Sequence, residues 1–101
     1  MHLHRKLAKA LLDVGLTEAE TMVYVELLQK PAQTIWKLVA RTGLSKSTTY
    51  RAFDRLRELK MVENGAEGIR ALSMKNLVAD LSTKERKLRK SVRDLKEIAP
   101  Y

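Results

Sequence analysis

Apolar positions recur at helical spacing along most of this chain and give way to strand-compatible runs at one place only. Leu3, Leu7, Ala10, Leu11 and Val14 share one helical face. Gly15 follows where a left-handed residue would end that helix. Thr17-Glu18-Ala19-Glu20 reads as a capping box, with the Thr17 hydroxyl accepting from the amide of residue 20 and the Glu20 carboxylate from the amide of residue 17. A second helix is thereby predicted through about Lys30, with Met22, Val23, Val25, Glu26, Leu27 and Leu28 on a broad side and Pro31 as its stop. A third runs from about Thr34 to Thr42 and carries Ile35, Leu38, Val39 and Ala40. Thr42-Gly43-Leu44-Ser45 makes a short turn, with Ser45 as N-cap of a fourth helix from Lys46 to about Lys60. Two helices joined by a Gly-containing turn are the signature of a helix-turn-helix.

The strand-compatible runs follow directly. Met61-Val62-Glu63 and Ile69-Arg70-Ala71-Leu72 flank the turn formers Asn64-Gly65 and Glu67-Gly68, which predicts a two-stranded hairpin. A hairpin in that position is a wing. Ser73 is expected to cap a last helix through about Ala99, ended by Pro100. The expected fold is mainly α with a small β-hairpin: a winged helix-turn-helix over residues 1–73, then a long C-terminal dimerisation helix over 74–101.

Dividing the fourth helix at about 100° per residue puts Thr49, Ala52, Phe53, Leu56 and Leu59 on the buried side. Ser47, Arg51, Asp54 and Glu58 lie opposite, with Thr48 and Arg55 on one flank and Tyr50 on the other. The N-terminal half of the exposed side (Lys46, Ser47, Thr48, Tyr50, Arg51, Arg55) holds three cations and no carboxylate. A recognition helix brings its N-terminal half to the major groove, where hydroxyls and cations meet phosphates and base edges. Arg51 and Arg55 can each fork to a guanine edge. The competing reading is a solvated face, with Arg55 paired to Glu58 or Asp54. The wing offers Arg70 and, secondarily, Asn64 to an adjacent minor groove, although Glu63 and Glu67, read as tip residues, oppose phosphate contact.

From Met74 onward a heptad can be written with Val78, Glu85, Val92 and Ala99 at a and Leu81, Leu88 and Leu95 at d. β-Branched a with Leu d favours two strands. Val78, Leu81, Leu88, Val92 and Leu95 are the expected homodimer seam, with the first helix packing beside it through Leu3, Leu7 and Leu11. About three heptads alone would be marginal.

Charge changes the picture by its placement. The net charge is +8, from 20 Lys+Arg against 12 Asp+Glu. Residues 1–33 carry four of each sign, so the whole excess lies in the last two thirds. A basic excess confined to particular elements suggests a polyanionic partner, nucleic acid being the commonest, and with the helix-turn-helix the expected partner is double-stranded DNA. The stretch Lys84 to Arg93 reads either as the solvated outside of a paired helix or as added phosphate attraction; the apolar face lacks the Trp and Phe of a membrane-surface helix. With no cysteine, disulfide scaffolds, thiolate zinc sites and thiol catalysis are excluded. No apolar run reaches membrane-spanning length, and a cytoplasmic, nucleoid-associated location is expected.

Gly15-Leu16-Thr17-Glu18-Ala19-Glu20, the Tyr24 to Leu28 stretch, Ser45-Lys46-Ser47-Thr48-Thr49-Tyr50 and the Leu56 to Val62 segment together resemble TrmB-type winged helix-turn-helix regulators. The resemblance covers roughly Leu11 to Val62. It implies a dimeric, archaeal-type transcription regulator that binds DNA with the Ser45–Lys60 helix in the major groove. Many such relatives continue into a sugar-binding effector domain, whereas this sequence ends at Tyr101. Ligand sensing is therefore not carried over, and the chain is read either as a minimal member or as the DNA-binding part of a longer protein.

Catalysis finds little footing. His2 and His4 are the only histidines and sit at the terminus, and no phosphate-cradling Gly-rich loop occurs. Ser45-Lys46-Ser47-Thr48 is explained more simply by capping and DNA contact than by Ser/Lys chemistry. Trp36 and Tyr24 are expected to pack in a core or interface. No enzyme activity, cofactor, metal or small-molecule effector is therefore expected. The alternative to a DNA-binding regulator, specific or architectural, is a winged helix serving as a protein–protein adaptor in transcription or chromosome machinery.

Overall fold

The computed structural model describes residues 2–99, with side chains from residue 4 onward. The elements run α1 (His2–Asp13), α2 (Glu18–Gln29), α3 (Ile35–Thr42), α4 (Lys46–Glu58), β1 (Val62–Gly65), β2 (Gly68–Ala71) and α5 (Lys75–Ile98). This is a winged helix-turn-helix followed by a long C-terminal helix. The expected roles of Leu3 on the first apolar face, of His2 and of Pro100 as a stop lie outside the described side chains and residues.

Local sequence chemistry sets most of the boundaries. Gly15 adopts φ +107° after α1, and the Gly15 and Leu16 amides donate to the carbonyls of Leu12 and Leu11 at 3.1 and 3.0 Å. Leu11 and Leu16 are both buried beneath that reversal, which is the apolar contact that accompanies such an ending. At α2 the capping box is complete: the Glu20 amide donates to the Thr17 hydroxyl at 3.1 Å and the Thr17 amide to the Glu20 carboxylate at 3.0 Å. Thr34 caps α3, its hydroxyl accepting from the Lys37 amide at 3.2 Å, and Gly43 ends it at φ +73°. α4 closes with its amides folded back, Met61 donating to the Leu56 carbonyl and Lys60 to that of Arg57. Lys60 takes the left-handed conformation at φ +60°, a strain of about 1–2 kcal/mol for a residue with a side chain. It lets the chain turn into β1 without a loop.

Val23, Tyr24 and Leu27 of α2 form the centre of one core with Leu11, Leu38, Ala52, Phe53, Leu56, Met61, Val62, Ile69 and Leu77. Each fully buried aliphatic or aromatic side chain contributes about 1.5–3 kcal/mol. Tyr24 is buried as expected, and its hydroxyl donates to the Leu72 carbonyl at 2.7 Å, tying α2 to the exit of the wing. Burial pushes the Tyr24 phenol above its ordinary value. Trp36 is not in this core. It is 59% exposed on α3, which corrects the core half of the expectation and leaves the interface half open.

The hairpin differs from its expected outline in three respects. β1 and β2 pair antiparallel with Glu63 opposite Arg70 and Gly65 opposite Gly68, so Asn64-Gly65 belongs to the strand, and Ala66-Glu67 alone make the turn. Glu63 is accordingly a strand residue, not a tip. Ala32, between α2 and α3, adds a bridge on the other edge of β2: its amide donates to the Ile69 carbonyl at 2.9 Å, and its carbonyl accepts from the Ile69 amide at 2.7 Å. Ser73 does not occupy the N-cap of the last helix. α5 begins at Lys75 after Met74, and the Ser73 hydroxyl accepts from the Lys75 amide at 3.1 Å. Leu77 is buried and Leu81 half-buried, but every residue from Ser82 to Ala99 is exposed.

Gly68 is where the hairpin meets Ala32 most closely. It adopts φ +116°, and a Cβ there would stand 2.7 Å from the Ala32 carbonyl oxygen. Gly68→Ala is expected to combine an unfavourable backbone conformation with overpacking against main chain, lowering stability by about 2–4 kcal/mol in urea unfolding.

Candidate nucleic-acid interface

α4 is anchored by Thr49, Ala52, Phe53 and Leu56, all buried, with Leu59 half-buried below them. The angular division read from the sequence holds. Lys46, Ser47, Tyr50, Arg51, Asp54, Arg55 and Glu58 are exposed, and Thr48 is half-buried. Ser45 organises the first turn. Its Oγ accepts from the Thr48 amide at 3.1 Å and donates to Thr48 Oγ1 at 2.8 Å, while Thr49 Oγ1 donates to the Ser45 carbonyl at 2.8 Å.

The first turn of α4 contains no acid, whereas that of α2 contains Glu18 and Glu20. A helix N-terminus carries partial positive charge and ordinarily gains about 0.3–1 kcal/mol from a nearby carboxylate. α4 forgoes that gain. A neutral serine hydroxyl accepts from one of the free amides, that of Thr48, and Lys46 adds positive charge to the same end. No Asp or Glu occurs from Thr34 to Phe53, so α3 and the first half of α4 contribute no carboxylate of their own, although Glu20 at the start of α2 lines a surface with Thr48 and Arg51.

The cations of these two helices are held differently. Arg51 enters no ion pair among the described residues. Lys46 Nζ lies 4.4 Å from the centroid of the Trp36 ring and 5.9 Å from that of Tyr50. Arg55 is 3.5 Å from the Glu58 carboxylate, and Arg57 is 3.1 Å from that of Asp54. These are exposed pairs one helical turn apart, worth about 0.2–1 kcal/mol, so a competing phosphate or base edge can displace them. Arg41 is committed within the fold. It binds the Glu26 carboxylate at 3.2 Å and reaches the Glu26 and Pro31 carbonyls at 2.6 and 3.2 Å.

Lys46, Ser47, Thr48, Tyr50, Arg51 and Arg55 are thus brought together on one helix. Arg70 is not brought to them. It faces Glu63 across the hairpin, forms an ion pair with it, and lies beside a surface lined by Pro31 and the turn. Alternate strand residues point to opposite faces, and the other hairpin face carries Asn64 and Ile69. These two line a groove of about 560 Å³ with Tyr50, Phe53, Asp54 and Arg57 of α4 and Gln33, Thr34 and Ile35 at the start of α3.

This arrangement of a short helix, a capped and acid-free second helix and a hairpin coincides with what comparison of the sequence finds. The profile of one family, described as sugar-specific transcriptional regulator TrmB, matches residues 11–77. The chain belongs to the TrmB family. The match takes in α2, α3, α4 and the whole wing. Membership in TrmB supports a DNA-binding transcription regulator, a family of regulators and not of enzymes. No curated protein and no solved structure gives a match.

Two residues of this TrmB surface escaped the sequence reading. Trp36 was legible as exposed: with Ile35, Leu38 and Val39 facing inward, residue 36 falls about 100° away. Arg57, assigned no role, lines the groove and sits with its guanidinium 5.7 Å from the Phe53 ring. Among the described residues no group of three or more His, Cys, Asp or Glu could hold a metal, and no helix is long and apolar enough to cross a membrane.

Because α4 has only the Ser45 hydroxyl to cap its first amides, Ser45→Ala is expected to lower stability by about 1 kcal/mol in urea unfolding, within the usual 0.5–2 kcal/mol for a lost cap.

Proposed function

We propose that this chain is a homodimeric regulator of transcription that binds double-stranded DNA with the N-terminal half of α4 in the major groove. The observation that carries this reading is the first turn of α4: capped by a neutral serine, free of carboxylates, and bearing exposed Lys46, Ser47, Tyr50 and Arg51. Positive end charge, small hydroxyls and an unpaired arginine are what close approach to a phosphate backbone and base edges demands. Arg55 joins them once Glu58 is displaced. Arg70 serves an adjacent backbone contact only after leaving Glu63, and Asn64 is the better placed wing residue because it shares a groove with α4.

Pairing through α5 gives the second half of the reading. Val78, Leu88, Val92 and Leu95 are exposed and Leu81 is half-buried, in the heptad positions expected of a two-stranded seam. Ile98, at 80% exposure, extends the apolar stripe toward the end of the helix. Leu11 is buried and Leu7 packs on the core of their own chain, so the share of this region in a dimer falls to Leu12 of α1 and Val14 just after it, which are exposed. In this division residues 1–73 are the DNA-binding unit and 74–101 the dimerisation helix. Twofold pairing then sets two copies of α4 about 34 Å apart, on a pseudo-palindromic site. A cytoplasmic, nucleoid-associated location accompanies this role. The adaptor reading gains one observation, the exposed indole of Trp36, since an apolar anchor beside α4 is what a protein partner would use.

Binding of a labelled duplex, followed by anisotropy across a salt series, tests the DNA reading. Affinity should fall along a steep log–log line, and the Arg51→Ala, Arg55→Ala double substitution should weaken binding about 30-fold or more. Absence of binding at low salt would transfer the α4 face to a protein partner. For the dimer, sedimentation equilibrium at tens of micromolar should give twice the chain mass. Leu88→Glu with Leu95→Glu, at positions 66% and 63% exposed and so outside the core, should return the monomer with unchanged far-UV signal from the winged domain.

A further inference from the structure

Trp36 is the chain's only tryptophan, lies 59% exposed on α3, and has a lysine from the next helix over its ring. A largely exposed indole is uncommon unless it has a partner. Lys46 Nζ stands 4.4 Å from the indole centroid and 5.9 Å from that of the Tyr50 ring, both within the range of a cation–π contact. The three side chains form one exposed platform at the first turn of α4. Lys37, on α3 next to Trp36, is bound to the neutral Gln33 side chain and keeps its charge unpaired.

We infer that Trp36 is a duplex-contacting residue, laying its indole against the deoxyribose-phosphate backbone beside the groove that α4 enters and holding the Lys46 ammonium toward a phosphate. This rests on the DNA-binding reading of α4 and extends its footprint to α3. Three observations favour DNA as the occupant. The platform is continuous with the α4 face, sharing Lys46 and Tyr50 with it. The segment from Thr34 to Phe53 carries only positive charge, which fits a polyanion, and Asp54, which lines a groove with Tyr50, is paired with Arg57. A lysine stacked on two rings has fewer rotamers to lose when it meets a phosphate, and the apolar sugar edge supplies a surface for the indole.

The sole tryptophan is its own reporter. With excitation confined to tryptophan, acrylamide quenching of Trp36 should fall at least about twofold when a duplex saturates the chain. Saturation is established independently by anisotropy of the labelled duplex. Trp36→Ala should weaken duplex binding about 5-fold while leaving the salt slope unchanged, because no charge is removed; Lys46→Ala should flatten that slope by about 0.9. A chain that binds duplex with Trp36 still fully quenched, or a Trp36→Ala variant that binds like the parent, overturns the inference and points the indole to a protein partner. The quenching arm uses the unsubstituted chain, so it holds even where a variant folds poorly. Loss of all duplex binding by the parent chain would instead defeat the DNA reading itself.

Discussion

Thr49, Ala52, Phe53 and Leu56 are held against α2, and this packing decides which way the rest of α4 faces. The stripe is narrow, with one aromatic ring and a buried threonine whose hydroxyl is satisfied by the Ser45 carbonyl. It leaves two flanks with different neighbours. Thr48 and Arg51 border a surface shared with the start of α2, and Tyr50, Asp54 and Arg57 border one shared with α3 and the hairpin. Turning α4 by one residue would bury a charge and expose Phe53. The orientation of Lys46, Arg51 and Arg55 therefore follows from core packing, and their chemistry adds nothing to it.

The two best-capped helices are built to opposite electrostatic rules. α2 has glutamates in its first turn, one of them closing the capping box, and is as stable there as local chemistry allows. α4 keeps only the hydroxyl cap and places a lysine at its first position. A first turn without acids is shared with α3 and α5, so what marks the start of α4 is its exposed cations Lys46 and Arg51, neither of them in an ion pair among the described residues. The Arg41–Glu26 pair shows the reverse. A cation on the same helix-turn-helix is consumed by a carboxylate and two carbonyls and contributes to holding α3 on α2.

What could be read from the sequence was governed by how local the cause is. The end of α1 at Gly15, the capping box at Thr17 and the cap at Ser45 each depend on residues within a turn of one another, and all three are present; Thr34, expected as the first residue of its helix, is instead its cap. The buried side of α4 followed from periodicity alone. The bridge between Ala32 and Ile69 had no such signal, because it forms only when the segment between α2 and α3 lies beside the hairpin. The segregation of Arg70 from α4 depended on strand register, which the positions of Asn64-Gly65 and Glu67-Gly68 left open by two residues. Ser73 shows a subtler shift: the hydroxyl does accept a helical amide, but from one position outside the cap.

The attachment of the hairpin has a consequence for the order in which the molecule comes together. Helices α1 to α4 are secured by hydrogen bonds between near neighbours, whereas the hairpin is fastened by the Ala32–Ile69 bridge and by the Tyr24 hydroxyl on Leu72, 48 residues away. Such distant contacts form only after the intervening chain has been ordered. The attachment of the wing therefore depends on the rest of the domain, and the hydrogen bonds of the Ala32 and Ile69 amides exist only in the assembled core. Their exchange with solvent should track global unfolding, while the amides of distal α5, which no other element covers, open on their own.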